Sequence, residues 1–166
     1  MAGFVITDAS PLNGLARIDG LHWLHGLFGE VWMPREVRAE VISGGLTDQK
    51  FVGETAILNA EQRGWLRVAQ LAPTGPDLPD LDEAETACIR IALAQAGPKL
   101  LLIDERAGRG VAQELGLRVA GTAAVVGMAK SRGLIPSARD AFVRLHASDF
   151  RISAEVIATV LRRVGE

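Results

Sequence analysis

Acidic side chains follow two short apolar segments of the chain and are the residues best suited to do chemistry. Leu100–Ile103 ends at Asp104, and Phe4–Thr7 ends at Asp8. Short apolar segments are typical of strands buried on both faces of a parallel sheet, and such sheets bind ligands at the carboxyl ends of their strands. Two carboxylates at neighbouring strand ends repel each other, and a cation that neutralises them lets a protein keep the pair. Asp104 could instead serve only as the cap of the next helix.

Two helices between these strands offer further acids. In a helix predicted over residues 35–43, Glu40 flanks the apolar stripe, although an exposed glutamate on the helix surface is an equally good interpretation. A second helix is predicted to begin at Asp82 and carries Glu83 and Glu85. Glu85 fits the third position of a capping box, which alone would explain it. Helix geometry does not decide whether Glu83 or Glu85 faces the strand ends.

Clustered carboxylates favour hard cations that prefer oxygen ligands, such as Mg²⁺ or Mn²⁺. Two such ions about 4 Å apart can activate a water molecule and stabilise a leaving oxygen in phosphodiester cleavage. Order and spacing of the acids therefore indicate a metal site at the edge of a sheet.

The composition is that of an ordinary globular domain. The chain has 166 residues, 48% of them hydrophobic and 23% charged, so we expect a single domain over residues 1–166. The net charge of −2 gives no global positive field for nucleic acid, but a local basic rim could still hold a phosphate backbone. Cys88 is the single cysteine, and no apolar segment approaches the roughly 20 residues of a membrane span. We expect a cytoplasmic protein without a membrane segment.

The regular alternation of strand and helix patterns predicts an α/β fold with a parallel sheet of four to five strands flanked by helices. Predicted strands cover residues 4–7, 30–33, 65–68, 100–103 and 117–120, the third at an edge of the sheet. Ser10 and Thr122 are predicted to be the N-caps of the helices that follow the first and last strands. Ser10 could also donate a hydrogen bond to a metal ligand or a metal-bound water. The last helix, over residues 153–163, is the best candidate for a docking or dimer contact, and it could equally serve only to cover the core.

Seven segments spread over the chain carry a resemblance to a known family. They are Thr7–Leu12, Met33–Glu40, Leu81–Ala87, Leu102–Arg106, Gly121–Thr122, Gly133–Pro136 and Phe150–Ser153. In this order they resemble PIN-domain proteins, close to the branch known as DUF3368. The resemblance implies a PIN-like three-layer fold and a Mg²⁺- or Mn²⁺-dependent ribonuclease. Many PIN domains are VapC-like toxins of toxin–antitoxin pairs, so it also implies an RNA substrate, a small cognate antitoxin and a homodimer.

By the same resemblance, the acidic catalytic positions fall on Asp8, Glu40, Glu85 and Asp104. We expect Asp8 and Asp104 to hold the principal metal ion, and Glu40 and Glu85 to complete its shell through water or to hold a second ion. Glu85 departs from the Asp that is common in other PIN branches.

Ser10, Arg106 and Arg109 are the candidate substrate-binding residues, the two arginines as charge-assisted donors to an RNA phosphate. Exposed helix arginines without such a role are the simpler interpretation of Arg106 and Arg109.

Rival classes fit the sequence less well. A receiver-like phosphoacceptor needs paired acids after the first strand and a late lysine at a strand end, but Ala9 follows Asp8 and Lys130 lies in a predicted helix. A haloacid-dehalogenase phosphatase needs a second Asp where Ser10 stands. A PIN-like protein that binds RNA or a partner without cutting remains an alternative.

Overall fold

The structure is a computed structural model that describes the backbone of residues 3–42, 48–70 and 73–166, and their side chains except those of 48–52. The five strands are β1 Phe4–Thr7, β2 Val31–Pro34, β3 Leu66–Ala69, β4 Lys99–Leu102 and β5 Arg118–Ala120. The helices of the described residues are α1 Ala9–Arg17, α2 His22–Phe28, α3 Arg35–Val41, α4 Asp48–Gln62, α5 Glu83–Leu93, α6 Arg106–Glu114, α7 Thr122–Ser131, α8 Ala138–Ala147 and α9 Ala154–Arg163.

The five strands form one parallel sheet in the order β3-β2-β1-β4-β5, which confirms the predicted α/β fold and the edge position of the third strand. β1 and β4 are neighbours at the centre, with Thr7 opposite Leu102. The backbone N–H of Asp8 donates to the carbonyl of Leu102 at 2.9 Å and extends this pairing beyond the strands. Because all five strands run the same way, the residues after β1 and β4 emerge at one edge of the sheet.

The core lies on both faces of the central strands. Consecutive residues of β1 and β4, including Val5, Ile6, Leu101 and Leu102, are at most 1% exposed. Successive side chains of a strand point to opposite faces, so burial of neighbours requires helices on both sides. This arrangement explains why these segments are apolar without alternation. The strand ends are the first places along β1 and β4 where acidic side chains occur.

Two predicted helix caps are wrong. Asp8 occupies the N-cap position of α1 and Gly121 that of α7, so Ser10 and Thr122 lie inside the first turns of their helices. Their hydroxyl groups instead donate to Asp104. Hydrogen bonds to a charged acceptor are stronger than those between neutral groups. The two hydroxyl groups therefore donate to the carboxylate that follows β4 and do not cap their own helices.

The predicted cap at Asp82 is confirmed. The side chain of Asp82 caps α5 and accepts a hydrogen bond from the backbone N–H of Glu85 at 2.8 Å. The sequence also predicts that Thr47 and Asp48 cap the helix that runs to about Arg63, but Thr47 lies outside the described residues. The final helix, α9, packs against α7 and α8. Among the described residues, no helix combines the length and apolar character needed to cross a membrane.

Candidate metal-binding site

Asp8 stands at the end of β1 with only 8% of its surface exposed. Burial raises the pKa of this carboxyl from 3.8 to about 6, against the lowering effect of a hydrogen bond from the backbone of Ala9. Repulsion from Asp82, Glu40 and Asp104 raises the pKa further. The free carboxylate is therefore costly in this position, and a nearby cation would relieve the cost.

Asp104 is held by three hydrogen bonds from two helices. The hydroxyl of Ser10, on α1, donates to Oδ2 at 2.9 Å. Thr122, on α7, donates its backbone N–H to Oδ1 at 2.7 Å and its hydroxyl to Oδ2 at 2.8 Å. A carboxylate has about four acceptor positions, so one on Oδ1 stays free for a cation. The three bonds fix the rotation of the carboxylate and thereby the direction of that free position.

Glu85 points into the protein, whereas Glu83 is exposed. The Oε2 atom of Glu85 is shielded from solvent and has no hydrogen-bond partner. The pKa of Glu85 is raised to about 7, first by burial, then by a hydrogen bond that only the protonated carboxyl can donate to Asp82 and by the charges of Asp82, Asp8 and Glu105. A buried polar atom without a partner is uncommon in proteins and requires an explanation. A cation at this carboxylate would supply the missing partner.

The close approach of α6 confines Glu85. A Cβ atom built on Gly108 would lie 2.6 Å from Glu85 Oε2 and 2.6 Å from Cδ1 of Ile103. Because no real Cβ makes such a contact, the position accepts only glycine without movement of its neighbours. The absence of a side chain at Gly108 therefore leaves room for the Glu85 carboxylate at the sheet edge.

Glu40 lies on the exposed side of α3, near the other acids. Partial burial and the charge of Asp82 raise its pKa. Asp82 thus influences Asp8, Glu40 and Glu85, although the sequence indicated only a helix cap for it. The acids share one electrostatic environment, but no group of three or more His, Cys, Asp or Glu side chains in residues 3–42, 53–70 and 73–166 is arranged to hold a metal as it stands. An ion bound by several of these acids would require Asp8, Glu40 or Glu85 to change rotamer, since hydrogen bonds hold Asp104 in place.

The two candidate arginines differ in burial and in position relative to the groove beside Asp104. Arg109 is half-buried and lines a groove of about 640 Å³ together with Ser10 and Asp104. Arg106 is exposed at the start of α6 and does not line this groove. A Cβ on Gly121 would lie 3.3 Å from Nη1 of Arg109 and 2.9 Å from Oδ1 of Asp104, so the guanidinium reaches the neighbourhood of the carboxylate.

Sequence reasoning missed the role of Thr122 and of Asp82. Thr122 has the only side-chain hydroxyl besides Ser10 that donates to Asp104 within the described part of the chain. The signal for Thr122 was present, since Gly121–Thr122 is one of the segments that carry the family resemblance. Its mechanism was not visible, because the contact depends on the pairing of β4 with β5.

The family model described as DUF3368: PIN domain matches residues 4–166. No curated protein is similar enough to the chain to be matched. PIN domains typically bind divalent metal ions, and all the acids described above offer the oxygen ligands that such ions prefer.

Proposed function

Because the chain belongs to the PIN-domain family, in its DUF3368 branch, we propose that it is a metal-dependent ribonuclease that hydrolyses RNA phosphodiester bonds. Membership of this family indicates a nuclease-like function. The observation that carries the proposal is the buried Glu85 Oε2 without a partner, on a carboxyl whose pKa is also raised by the charge of Asp8. Carboxylates with strongly raised pKa values occur often at functional sites.

The carboxylates at this edge supply the oxygen ligands that Mg²⁺ or Mn²⁺ prefers, and we propose that they hold one or two such ions after a change of side-chain rotamer. Asp8 and Asp104 would hold the principal ion, and Glu40 and Glu85 would complete its shell or hold a second one. When bound, such an ion supplies an activated water and stabilises the charge that develops on the phosphate. The pKa of Glu85, raised to about 7, means that metal binding near neutral pH displaces a proton from part of the Glu85 carboxyls, whereas Asp8, with a pKa of about 6, releases its proton mainly below pH 7.

The remaining residues orient Asp104 or contact the RNA. Ser10 and Thr122 keep Asp104 in a single rotation, as partners of metal ligands commonly do. We propose that Arg109 donates to a non-bridging phosphate oxygen of RNA, because it lines the same groove as Asp104. Arg106, exposed and outside this groove, would contact only RNA that extends beyond it. In this scheme Arg109 positions the phosphate, and the carboxylates at the sheet edge position the metal.

The test is cleavage of structured and unstructured RNA by the purified protein with Mn²⁺, Mg²⁺ or EDTA. We expect metal-dependent cleavage that is lost in Asp104→Asn and in Glu85→Gln. Glu83→Gln is the matched control, because Glu83 lies two residues from Glu85 on the same helix and is exposed. Calorimetry with Mn²⁺ separates narrow substrate choice from absence of a site: no cleavage together with no Mn²⁺ binding would overturn the proposal and leave a PIN-like RNA- or partner-binding protein.

The biological role that we propose is the toxin of a type II toxin–antitoxin pair, acting as a homodimer in the cytoplasm. It rests on the family resemblance. Expression of the wild-type chain should then arrest growth, and Asp104→Asn should not. Co-expression of a small protein encoded next to the gene should restore growth. Equal growth with the wild type and with Asp104→Asn would refute a toxic role without bearing on cleavage in vitro.

A further inference from the structure

Two hollows on the surface adjoin and form one trough, which leads away from the carboxylate site. The first is the groove of about 640 Å³ that contains Asp104 and Arg109. The second, of about 510 Å³, lies between α2, β5, α7 and α9. Both are lined by Ala124, Val160 and Arg163, so the second hollow begins where the first ends. We call the two together the α7–α9 trough.

The floor of the trough is formed where two helices pack closely. A Cβ atom on Gly127 of α7 would lie 2.9 Å from Cγ1 of Val160 on α9, which shows how closely the two helices approach. Val119 and Met128 contribute half-buried apolar surface to the second hollow. The floor is therefore apolar and held by two packed helices, as suits the faces of unpaired bases.

The charge along the trough changes with distance from the carboxylates. Near the site, Asp149 and Glu155 line the first hollow together with its arginines. The second hollow is lined by Arg118, Arg132 and Arg163 and by no acidic residue. These three side chains are exposed, and among the described residues they form no ion pair. A concentration of three unpaired arginines in a chain of net charge −2 marks a place for an anionic ligand.

From this geometry we infer that the α7–α9 trough binds the part of a single-stranded RNA that flanks the scissile bond, with Arg118, Arg132 and Arg163 on its phosphates. The inference rests on the proposed ribonuclease function. A strand that is cut must extend from the cut bond, and the trough is continuous with the site of Asp104. An apolar floor with cationic walls suits bases below and phosphates at the rim. A duplex has its bases paired and stacked, so it cannot use such a floor.

The inference can be tested by binding, independently of cleavage. Fluorescence anisotropy of labelled RNA in EDTA keeps the strand intact, and the comparison is between Arg118→Ala/Arg163→Ala and the control Arg67→Ala/Arg139→Ala. The control removes the same charge from β3 and α8, at positions that line neither hollow. For single strands, each lost phosphate contact lowers the slope of log K against log salt by about 0.7, so the trough variant should lose about 1.4 and bind more than about tenfold more weakly near 0.1 M salt.

Strand length gives a second measurement. Wild-type protein should bind RNA of about twelve nucleotides much more tightly than RNA of about four, because only the longer strand reaches the second hollow. The trough variant should lose this gain, and the control variant should keep it. Equal salt slopes and equal length dependence in the two double variants would overturn the inference. Binding of labelled oligoglutamate that the trough substitutions abolish, with RNA binding unaffected, would also overturn it and assign the hollow to an acidic protein segment.

Failure of the trough and failure of the ribonuclease give different results. Cleavage of the same RNA with Mn²⁺, combined with unaltered binding by Arg118→Ala/Arg163→Ala, refutes the trough and keeps the ribonuclease. Length-dependent binding that requires the arginines, with neither cleavage nor Mn²⁺ binding by the wild type, supports RNA binding in the trough and refutes the ribonuclease.

Discussion

Replacing Asp8 with Asn should stabilise the metal-free protein at neutral pH. Asp8 is buried at the end of β1, and its folded-state pKa of about 6 lies above the value of 3.8 expected for the unfolded chain. The folded protein therefore holds this proton more tightly, so raising the pH weakens folding. The loss begins above pH 3.8 and is complete above about pH 6. Asn carries no charge at any pH and avoids the loss.

The magnitude follows from the difference between the two pKa values. The rise of about 2 pKa units lowers the free energy of unfolding of the wild type at pH 7 by about 3 kcal/mol, since each pKa unit is worth about 1.4 kcal/mol. For a chain of 166 residues this equals roughly 6–12 °C in melting temperature. Such an effect is large beside the net stability of most domains, which is about 5–15 kcal/mol.

The assay is urea unfolding of the wild type, Asp8→Asn and the exposed-site control Asp77→Asn in EDTA from about pH 4 to pH 8. The advantage of Asp8→Asn over the wild type should grow by most of the expected 3 kcal/mol across this range. Asp77→Asn should follow the wild type, because Asp77 is exposed in a loop. Mn²⁺ should then raise the stability of the wild type more than that of Asp8→Asn. Parallel curves for wild type and Asp8→Asn at every pH would refute the reasoning.

Three further predictions concern the surroundings of the site. Gly108→Ala should lower the melting temperature and weaken Mn²⁺ binding, because its Cβ would lie 2.6 Å from Glu85 Oε2; Gly110→Ala, with nothing within 4 Å of the new Cβ, should instead gain up to about 1 kcal/mol of helix stability. Thr122→Val removes one of the three hydrogen bonds to Asp104 and keeps the backbone one, so calorimetry should show Mn²⁺ affinity reduced roughly 10- to 100-fold. Glu85→Gln should flatten the rise of Mn²⁺ affinity between pH 6 and pH 8, because the group with a pKa of about 7 no longer titrates.

Clear results would contradict each of these. Equal melting temperatures for the two alanine variants of α6 would mean that Glu85 does not occupy the space beside Gly108. Unchanged Mn²⁺ affinity in Thr122→Val would mean that the orientation of Asp104 does not depend on the hydroxyl. An unaltered pH profile in Glu85→Gln would remove Glu85 from the metal-linked protons.

The sequence was sufficient to predict the parallel sheet and the acids at two of its strand ends. A strand buried on both faces needs a continuous apolar segment, and this signal is local: it stands in Leu100–Ile103 and in Phe4–Thr7 without reference to the rest of the chain. The cap of α5 by Asp82 was equally local, because a cap involves residues three positions apart.

The sequence could not assign the contacts that depend on how distant elements pack. Ser10 and Asp104 are 94 positions apart, and their hydrogen bond exists only because β1 and β4 are neighbours in the sheet. The choice between Glu83 and Glu85 depends on which face of α5 meets the sheet. Helical periodicity cannot supply that direction, since both glutamates lie in the first turn.

The position of β4 has a consequence for the synthesis of the protein. Asp8 belongs to the first strand of the chain, whereas Asp104 and the residue that orients it, Thr122, come from the last two strands and the helix after them. An N-terminal portion of the chain that ends before residue 122 lacks Thr122, which donates two of the three hydrogen bonds to Asp104. The nascent chain therefore carries an incomplete site until Thr122 has been added and β4 has paired with β1. Whatever ion or ligand these acids bind, the nascent chain cannot bind it with the complete, oriented set until residue 122 has been made and folded.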